Sequence, residues 1–167
     1  MIPYLMITGY SDSGKTLITS RLIALLTGKG YRTAAVKHAH EGYEVDTPGK
    51  DSRQFFDNGA REVVVASPRS YFIHRRVETE PDLDELLSAI REVDIILVEG
   101  FKQHAGPKIR VYREGHSSDR LPVTGEVLAV VSDPKTEEEV PCFGFDELDH
   151  LAELIIERLL QDPRKHS

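Results

Sequence analysis

Apolar positions along the chain fall into two rhythms. Short runs rich in aliphatic and β-branched residues occur at Tyr4–Thr8, Arg32–Lys37, Arg61–Ser67, Tyr71–Arg75, Asp94–Gly100, Lys108–Arg113 and Val127–Ser132, and each predicts a strand. Between them, leucines and isoleucines recur at helical spacing. Ile18, Leu22 and Leu25 predict a helix that begins near Lys15, and Leu83, Leu86, Leu87 and Ile90 predict another, with Asp82 and Glu85 as a capping box. Leu148, Leu151, Ile155 and Leu159 give a stripe on a last helix over Asp146–Leu160, and Asp51–Asn58 reads as a short helix capped by Gly59. Strands alternating with helices predict a three-layer α/β fold with a mainly parallel central sheet. The site of such a fold lies at the carboxyl ends of its strands.

Two stretches break the rhythm. Residues 38–50 mix histidines, glycines, a proline and acids without period, which predicts a surface loop of functional length, and Glu114–Glu126 is a polar tract that reads as a mobile loop. With 167 residues, 40% of them hydrophobic, and no low-complexity tract, the chain is expected to form one domain over 1–167. It holds no apolar run of the roughly 18 residues that a membrane span needs, and its first apolar run lacks a basic flank, so neither a membrane nor a signal peptide is expected. The single cysteine, Cys142, reads as a packed residue near a loop and agrees with a reducing, cytoplasmic setting.

The formal charge of −7 argues against nonspecific nucleic-acid binding, which needs many cations against phosphates. Positive charge is instead local: Lys37, His38, His40, Lys50 and Arg53, then Arg69, His74, Arg75 and Arg76, then Lys102, His104, Lys108, Arg110 and Arg113. The acids of Glu78–Glu92 and Glu137–Glu157 read as solvated helix faces.

The chemistry is concentrated in Gly9-Tyr10-Ser11-Asp12-Ser13-Gly14-Lys15-Thr16, a complete G-x-x-x-x-G-K-T phosphate loop set between a predicted strand and a predicted helix. Its glycines let backbone N–H groups, those of Ser11, Asp12 and Ser13 included, wrap a phosphate tail at a helix N-terminus. Lys15 is expected to reach the β/γ-phosphates and the Thr16 hydroxyl to ligate Mg²⁺. Asp94 and Glu99 sit at opposite ends of one strand, roughly 16 Å apart, so only Glu99 falls at the carboxyl end where it can serve the ion. Lys37-His38-Ala39-His40 follows another strand. If that strand persists, His38 and His40 face the triphosphate for phosphate contact or proton handling; with no Cys-rich partner they make a poor zinc site. Asp46 and Asp51 are candidates for positioning water or Mg²⁺.

Together the phosphate loop, Lys37–His40, Asp46–Ser52, Ala66-Ser67-Pro68-Arg69 and Val98-Glu99-Gly100-Phe101-Lys102 resemble MobB, the molybdopterin-guanine dinucleotide biosynthesis adaptor family, over essentially the whole chain. The most specific segments are D-x-P-G-K-D-S and L-V-E-G-F-K. The resemblance implies a SIMIBI-class P-loop protein that binds GTP with Mg²⁺, hydrolyses it weakly, forms a homodimer, and assists a MobA-type guanylyltransferase that joins GMP to Mo-molybdopterin; molybdopterin itself is a candidate ligand that the sequence leaves open. It departs from the family where Leu17 follows Thr16 and where Glu41 closes the histidine run, and it carries no N-K-x-D guanine motif, although Ser132-Asp133 ends a late strand. The expected roles are therefore phosphate and Mg²⁺ binding by Gly14, Lys15 and Thr16, completion of the ion or water site by Glu99 and Asp51, and a basic patch of His38, His40, Lys50 and Lys102 toward cofactor phosphate or the partner. The rival expectation is a P-loop kinase or independent NTPase, with Arg69, Arg75 and Arg76 supplying a phosphate-clamping lid.

Overall fold

Every predicted strand and helix forms, and the computed structural model describes residues 1–40, 42–44, 51–114 and 124–160. In order they are β1 (Tyr4–Thr8), α1 (Lys15–Gly28), β2 (Thr33–Lys37), α2 (Asp51–Asp57), β3 (Glu62–Ala66), β4 (Tyr71–Arg75), α3 (Leu83–Ala89), β5 (Ile95–Glu99), β6 (Lys108–Arg113), β7 (Val127–Asp133), β8 (Cys142–Phe143) and α4 (Leu148–Leu159). The two-residue β8 is an addition to the predicted elements, because two residues carry no period. The chain packs as two compact units: one holds residues 1–38 and resumes at Leu83, and the other spans Ala39–Asp82.

The first unit is built on a six-stranded sheet in the order β2-β5-β1-β6-β7-β8, every pair parallel. A parallel sheet needs cover on both faces, which explains why the run Ile95–Val98 of β5 is apolar and the strand is buried at all five positions. On one face Leu5, Ile7, Leu97, Ile109 and Val131 pack with α1 and α4; on the other Met6, Ile96 and Val98 pack with α3. Helix α1 turns Ile18, Leu22 and Leu26 fully inward. Leu26 is fully buried as well, while the expected Leu25 packs half-buried against the same core, so the apolar stripe is wider than the three predicted positions. In α4 Ala152 is buried beside Leu148, Leu151 and Ile155, and Leu159 packs half-buried against the same core. Asp94, at the far end of that strand from Glu99, accepts the Arg32 backbone N–H at 2.7 Å and pairs with its guanidinium at 2.8 Å, which fastens the entry of β5 to that of β2. Cys142 lies half-buried with Sγ 3.3 Å from Ser132 Oγ.

In the second unit β3 and β4 form an antiparallel pair beside α2. His74 stacks on Phe56 at 3.7 Å, and the Arg76 guanidinium lies 3.9 Å from the same ring while donating to the Phe56 and Ala60 carbonyls. Arg75 pairs with Glu62. One side of the pair is left open to solvent, with Val64, Ile73 and Tyr71 all exposed. Among the described residues no helix is long and apolar enough to cross a membrane.

Candidate nucleotide site

Strand β1 ends at Thr8 and α1 starts at Lys15, so the glycine loop lies at the carboxyl edge of the sheet, beside the end of β5. Sterics fix the glycines. A Cβ on Gly9 would come 2.6 Å from the Val111 carbonyl oxygen, and one on Gly14, which also has φ +97°, would come 2.7 Å from the Phe145 ring. Asp12 is left-handed too, at φ +59°. Left-handed residues between right-handed ones turn successive N–H groups to one side and create an anion-binding concavity. Ser13 is fully buried, and its hydroxyl donates to the Tyr10 carbonyl at 2.8 Å, holding the loop in that curl.

Lys15 bends back to donate to the same Tyr10 carbonyl. Burial pulls its pKa below the ordinary lysine value; Glu99 and Asp12 oppose that shift, while Lys37 and Lys102 add to it. Thr16, one residue into α1, donates from Oγ1 to Glu99 Oε1 at 2.8 Å. Glu99 closes β5 almost wholly buried, and Lys37 Nζ, at the end of β2, lies 3.3 Å from the same oxygen. A hydroxyl and a carboxylate side by side are hard oxygen donors of the kind Mg²⁺ takes, with phosphate oxygens and water completing an octahedron. Among the described residues no three His, Cys, Asp or Glu side chains converge on one point.

Strand β2 stops at Lys37, which corrects the picture of His38 and His40 as alternate residues of a persisting strand. His38 instead hydrogen-bonds through its N–H to the Glu99 carbonyl at 2.9 Å, and its ring stacks on Phe101 at 4.4 Å. Gly100 permits that approach: its φ is +100°, and a Cβ there would lie 2.7 Å from His38 Cβ. Lys102 is exposed on the turn that follows, closed by a bond from the His104 N–H to the Phe101 carbonyl at 2.9 Å. Thus Gly9, Ser11, Asp12, Ser13, Gly14, Lys15, Thr16, Lys37, His38, Glu99 and Lys102 gather at the carboxyl edge of one sheet. His40 and Asp51 belong to the second unit, Asp51 in the first turn of α2. Asp46, Lys50 and most of the 114–126 tract lie outside the described residues.

Two aromatic contributors have little signal in the sequence. Phe101 is legible only as part of a motif, and Phe145, packed against Gly14, follows a strand too short to detect. Of the arginines expected to furnish a kinase lid, Arg75 pairs with Glu62 and Arg76 donates to the Phe56 and Ala60 carbonyls, all within the second unit.

Comparison with known proteins places the chain in a family. The family model "Molybdopterin guanine dinucleotide synthesis protein B" matches residues 4–133. The "Molybdopterin-guanine dinucleotide biosynthesis adapter protein" of Escherichia coli (strain K12) is 34% identical, covering 94% of this chain and 93% of its own; that of Haemophilus influenzae is 33% identical, covering 92% and 88%. The crystal structure of Bacillus subtilis MobB superposes with a TM-score of 0.74 at 25% identity, covering 94% of this chain and 98% of that one. The fold is that of the P-loop NTPases, and the chain belongs to the MobB family of molybdopterin-guanine dinucleotide biosynthesis adapter proteins.

Proposed function

We propose that the chain binds GTP with Mg²⁺ and assists a MobA-type guanylyltransferase in making molybdopterin-guanine dinucleotide, turning over GTP only slowly itself. The observation that carries this reading is the Thr16 hydroxyl set 2.8 Å from the Glu99 carboxylate, beside the glycine loop and Lys15. In it, the Gly9–Gly14 backbone cradles the phosphates, Lys15 offers a charge-assisted contact to the β/γ oxygens, and Thr16 with Glu99 holds Mg²⁺. The ion, when bound, neutralises charge on the β- and γ-oxygens. Lys37 would move from Glu99 toward phosphate, and Lys102 and His38 would face cofactor phosphate or the partner enzyme. Preference for guanine rests on family membership. A homodimer is part of the proposal; the exposed Val64, Ile73 and Tyr71 offer an apolar surface for a second copy. So is a cytoplasmic setting.

Calorimetric titration of Mg²⁺-GTP tests the reading. Lys15→Ala should weaken binding roughly 10- to 100-fold, as loss of a charge-assisted hydrogen bond does. Glu99→Gln should weaken it chiefly in the presence of Mg²⁺, while Asp94→Asn, at the far end of the strand and paired with Arg32, should leave it unchanged. Unaltered affinity in Lys15→Ala, or greater damage from Asp94→Asn than from Glu99→Gln, would reject this placement of the site.

A further inference from the structure

The direction in which a nucleotide lies along the glycine loop follows from the strands on either side of it. β5 and β6 flank β1 on opposite sides. Thr16 and Glu99, the oxygen pair suited to Mg²⁺, stand on the β5 side, and such an ion bridges the β- and γ-oxygens. The terminal phosphates therefore lie toward β5. The α-phosphate and the nucleoside run the other way, past Gly9 and Gly14 toward the carboxyl ends of β6, β7 and β8. An aromatic ring stands on that path: Phe145, which follows β8, is the ring that a Cβ on Gly14 would meet at 2.7 Å.

Alternation along the strands brings two charged side chains to the same corner. Val111 and Val131 belong to the core under α1 and α4, so Arg113 and Asp133, each two residues further on, project to that same face at the carboxyl edge. They are partners in register and both are exposed, and the Arg113 guanidinium carbon lies 5.8 Å from the Phe145 ring centre. The loops around them are tied down. Ser132 Oγ accepts the Thr136 N–H at 3.2 Å, and Glu147 accepts both the Gly144 N–H and the Lys135 ammonium at 2.7 Å, which joins the loop after β7 to the one after β8. We propose that this corner is the nucleobase site, in which the Asp133 carboxylate reads the base while Arg113 and Phe145 give it a stacking surface. The inference rests on the glycine loop being the GTP site. A carboxylate only accepts hydrogen bonds. Guanine offers it two donors side by side, N1–H and the 2-amino group, whereas adenine presents a lone pair at N1 and no amino group at C2. Aromatic rings and guanidinium planes, in contrast, stack on any base. Asp133 thus carries the choice of guanine, which the glycine loop cannot make because phosphates are common to all nucleotides.

The probes are the Mg²⁺ complexes of GTP, ITP, XTP, ATP and tripolyphosphate, titrated into the full chain and followed by calorimetry. The wild type should favour GTP over ATP and XTP by at least roughly 100-fold, and over ITP, which lacks the 2-amino group, by roughly 10-fold. In Asp133→Asn the side-chain amide donates to the C2 carbonyl of xanthine, so XTP should gain and GTP should lose until their order is reversed. A gain in affinity cannot come from a damaged fold, and unchanged tripolyphosphate binding reports an intact phosphate loop. Arg113→Met should weaken GTP and ITP by a similar factor and spare tripolyphosphate; equal weakening of tripolyphosphate would place Arg113 on the phosphates and overturn its part. An Asp133→Asn variant that keeps the wild-type ratio of GTP to XTP, or a wild type that binds GTP, ITP and XTP alike, would overturn the base site and leave the glycine loop's role standing. A wild type that binds neither tripolyphosphate nor GTP would overturn both.

Discussion

Two lysines in this molecule have had their basicity lowered by burial, and they differ in what faces them. Lys15 keeps Glu99 and Asp12 nearby, groups that oppose the shift, and sits where an arriving phosphate would further favour its charged form. Lys108 has only a carbonyl and a thioether as hydrogen-bond partners, and burial alone lowers its pKa. A base whose folded pKa is depressed binds its proton more tightly in the unfolded chain. It therefore destabilises the fold fully at pH values below the folded pKa, and the penalty fades as pH rises toward the ordinary lysine value of about 10.4. Urea denaturation of wild type and Lys108→Met between neutral pH and about pH 10 reads this directly, because the neighbouring Tyr4, His104 and Asp84 are common to both. The wild type should gain stability relative to the variant with rising pH, by up to about 1.4 kcal/mol per pH unit. A difference that stays flat would mean the ammonium is solvated.

Elements are more legible in the sequence than their edges, and the reason is the size of each signal. The β5 run Ile95–Val98 is apolar without interruption because both faces of a parallel strand are covered, and that run is readable to within one residue. The inward row of α1 is ambiguous by one position, since Leu25 and Leu26 are equally apolar and only the sheet decides for Leu26. The phosphate loop is legible in full because backbone geometry forces its glycines. The stacking of His38 on Phe101 is not, because it arises from two segments distant in sequence that meet over the left-handed Gly100. The role of Asp94 is hidden for the same reason: its partner Arg32 lies on another strand's approach. Helix α1 gives a direct test of which leucines matter. Leu22→Ala removes a fully buried side chain and should cost about 2–5 kcal/mol, whereas Leu17→Ala, at 62% exposure, should stay within about 0.5 kcal/mol. Thermal or urea unfolding of both variants checks the contrast. Equal costs would show that α1 is not docked through the Ile18, Leu22 and Leu26 row.

At the scale of the whole molecule, charge is distributed so that the site edge differs from the rest. The chain is acidic, at −7, yet Lys15, Lys37 and Lys102 lie close enough together for the last two to depress the first. Three cations that repel one another are tolerable when anions join them, and Glu99 and Asp12 oppose three positive charges with two negative ones. A bound triphosphate supplies the rest, and an exposed Lys102 is then left as the outermost cation, available to a partner or its ligand. This predicts a division of labour between residues that bind nucleotide and one that serves the joint reaction. In a reconstituted assay with a MobA-type guanylyltransferase, GTP, Mg²⁺ and Mo-molybdopterin, the protein should raise the yield of dinucleotide cofactor, while its own GTP turnover stays well below the roughly 10 per second typical of enzymes. Lys102→Glu should reduce that stimulation with little change in unfolding midpoint, because substitutions at exposed, unpacked positions rarely shift stability by more than about 0.5 kcal/mol. Lys15→Ala should weaken GTP binding roughly 10- to 100-fold and lower the stimulation at limiting GTP with it. Rapid phosphoryl transfer to a small acceptor, with no stimulation of the guanylyltransferase, would replace the adaptor reading with that of a kinase.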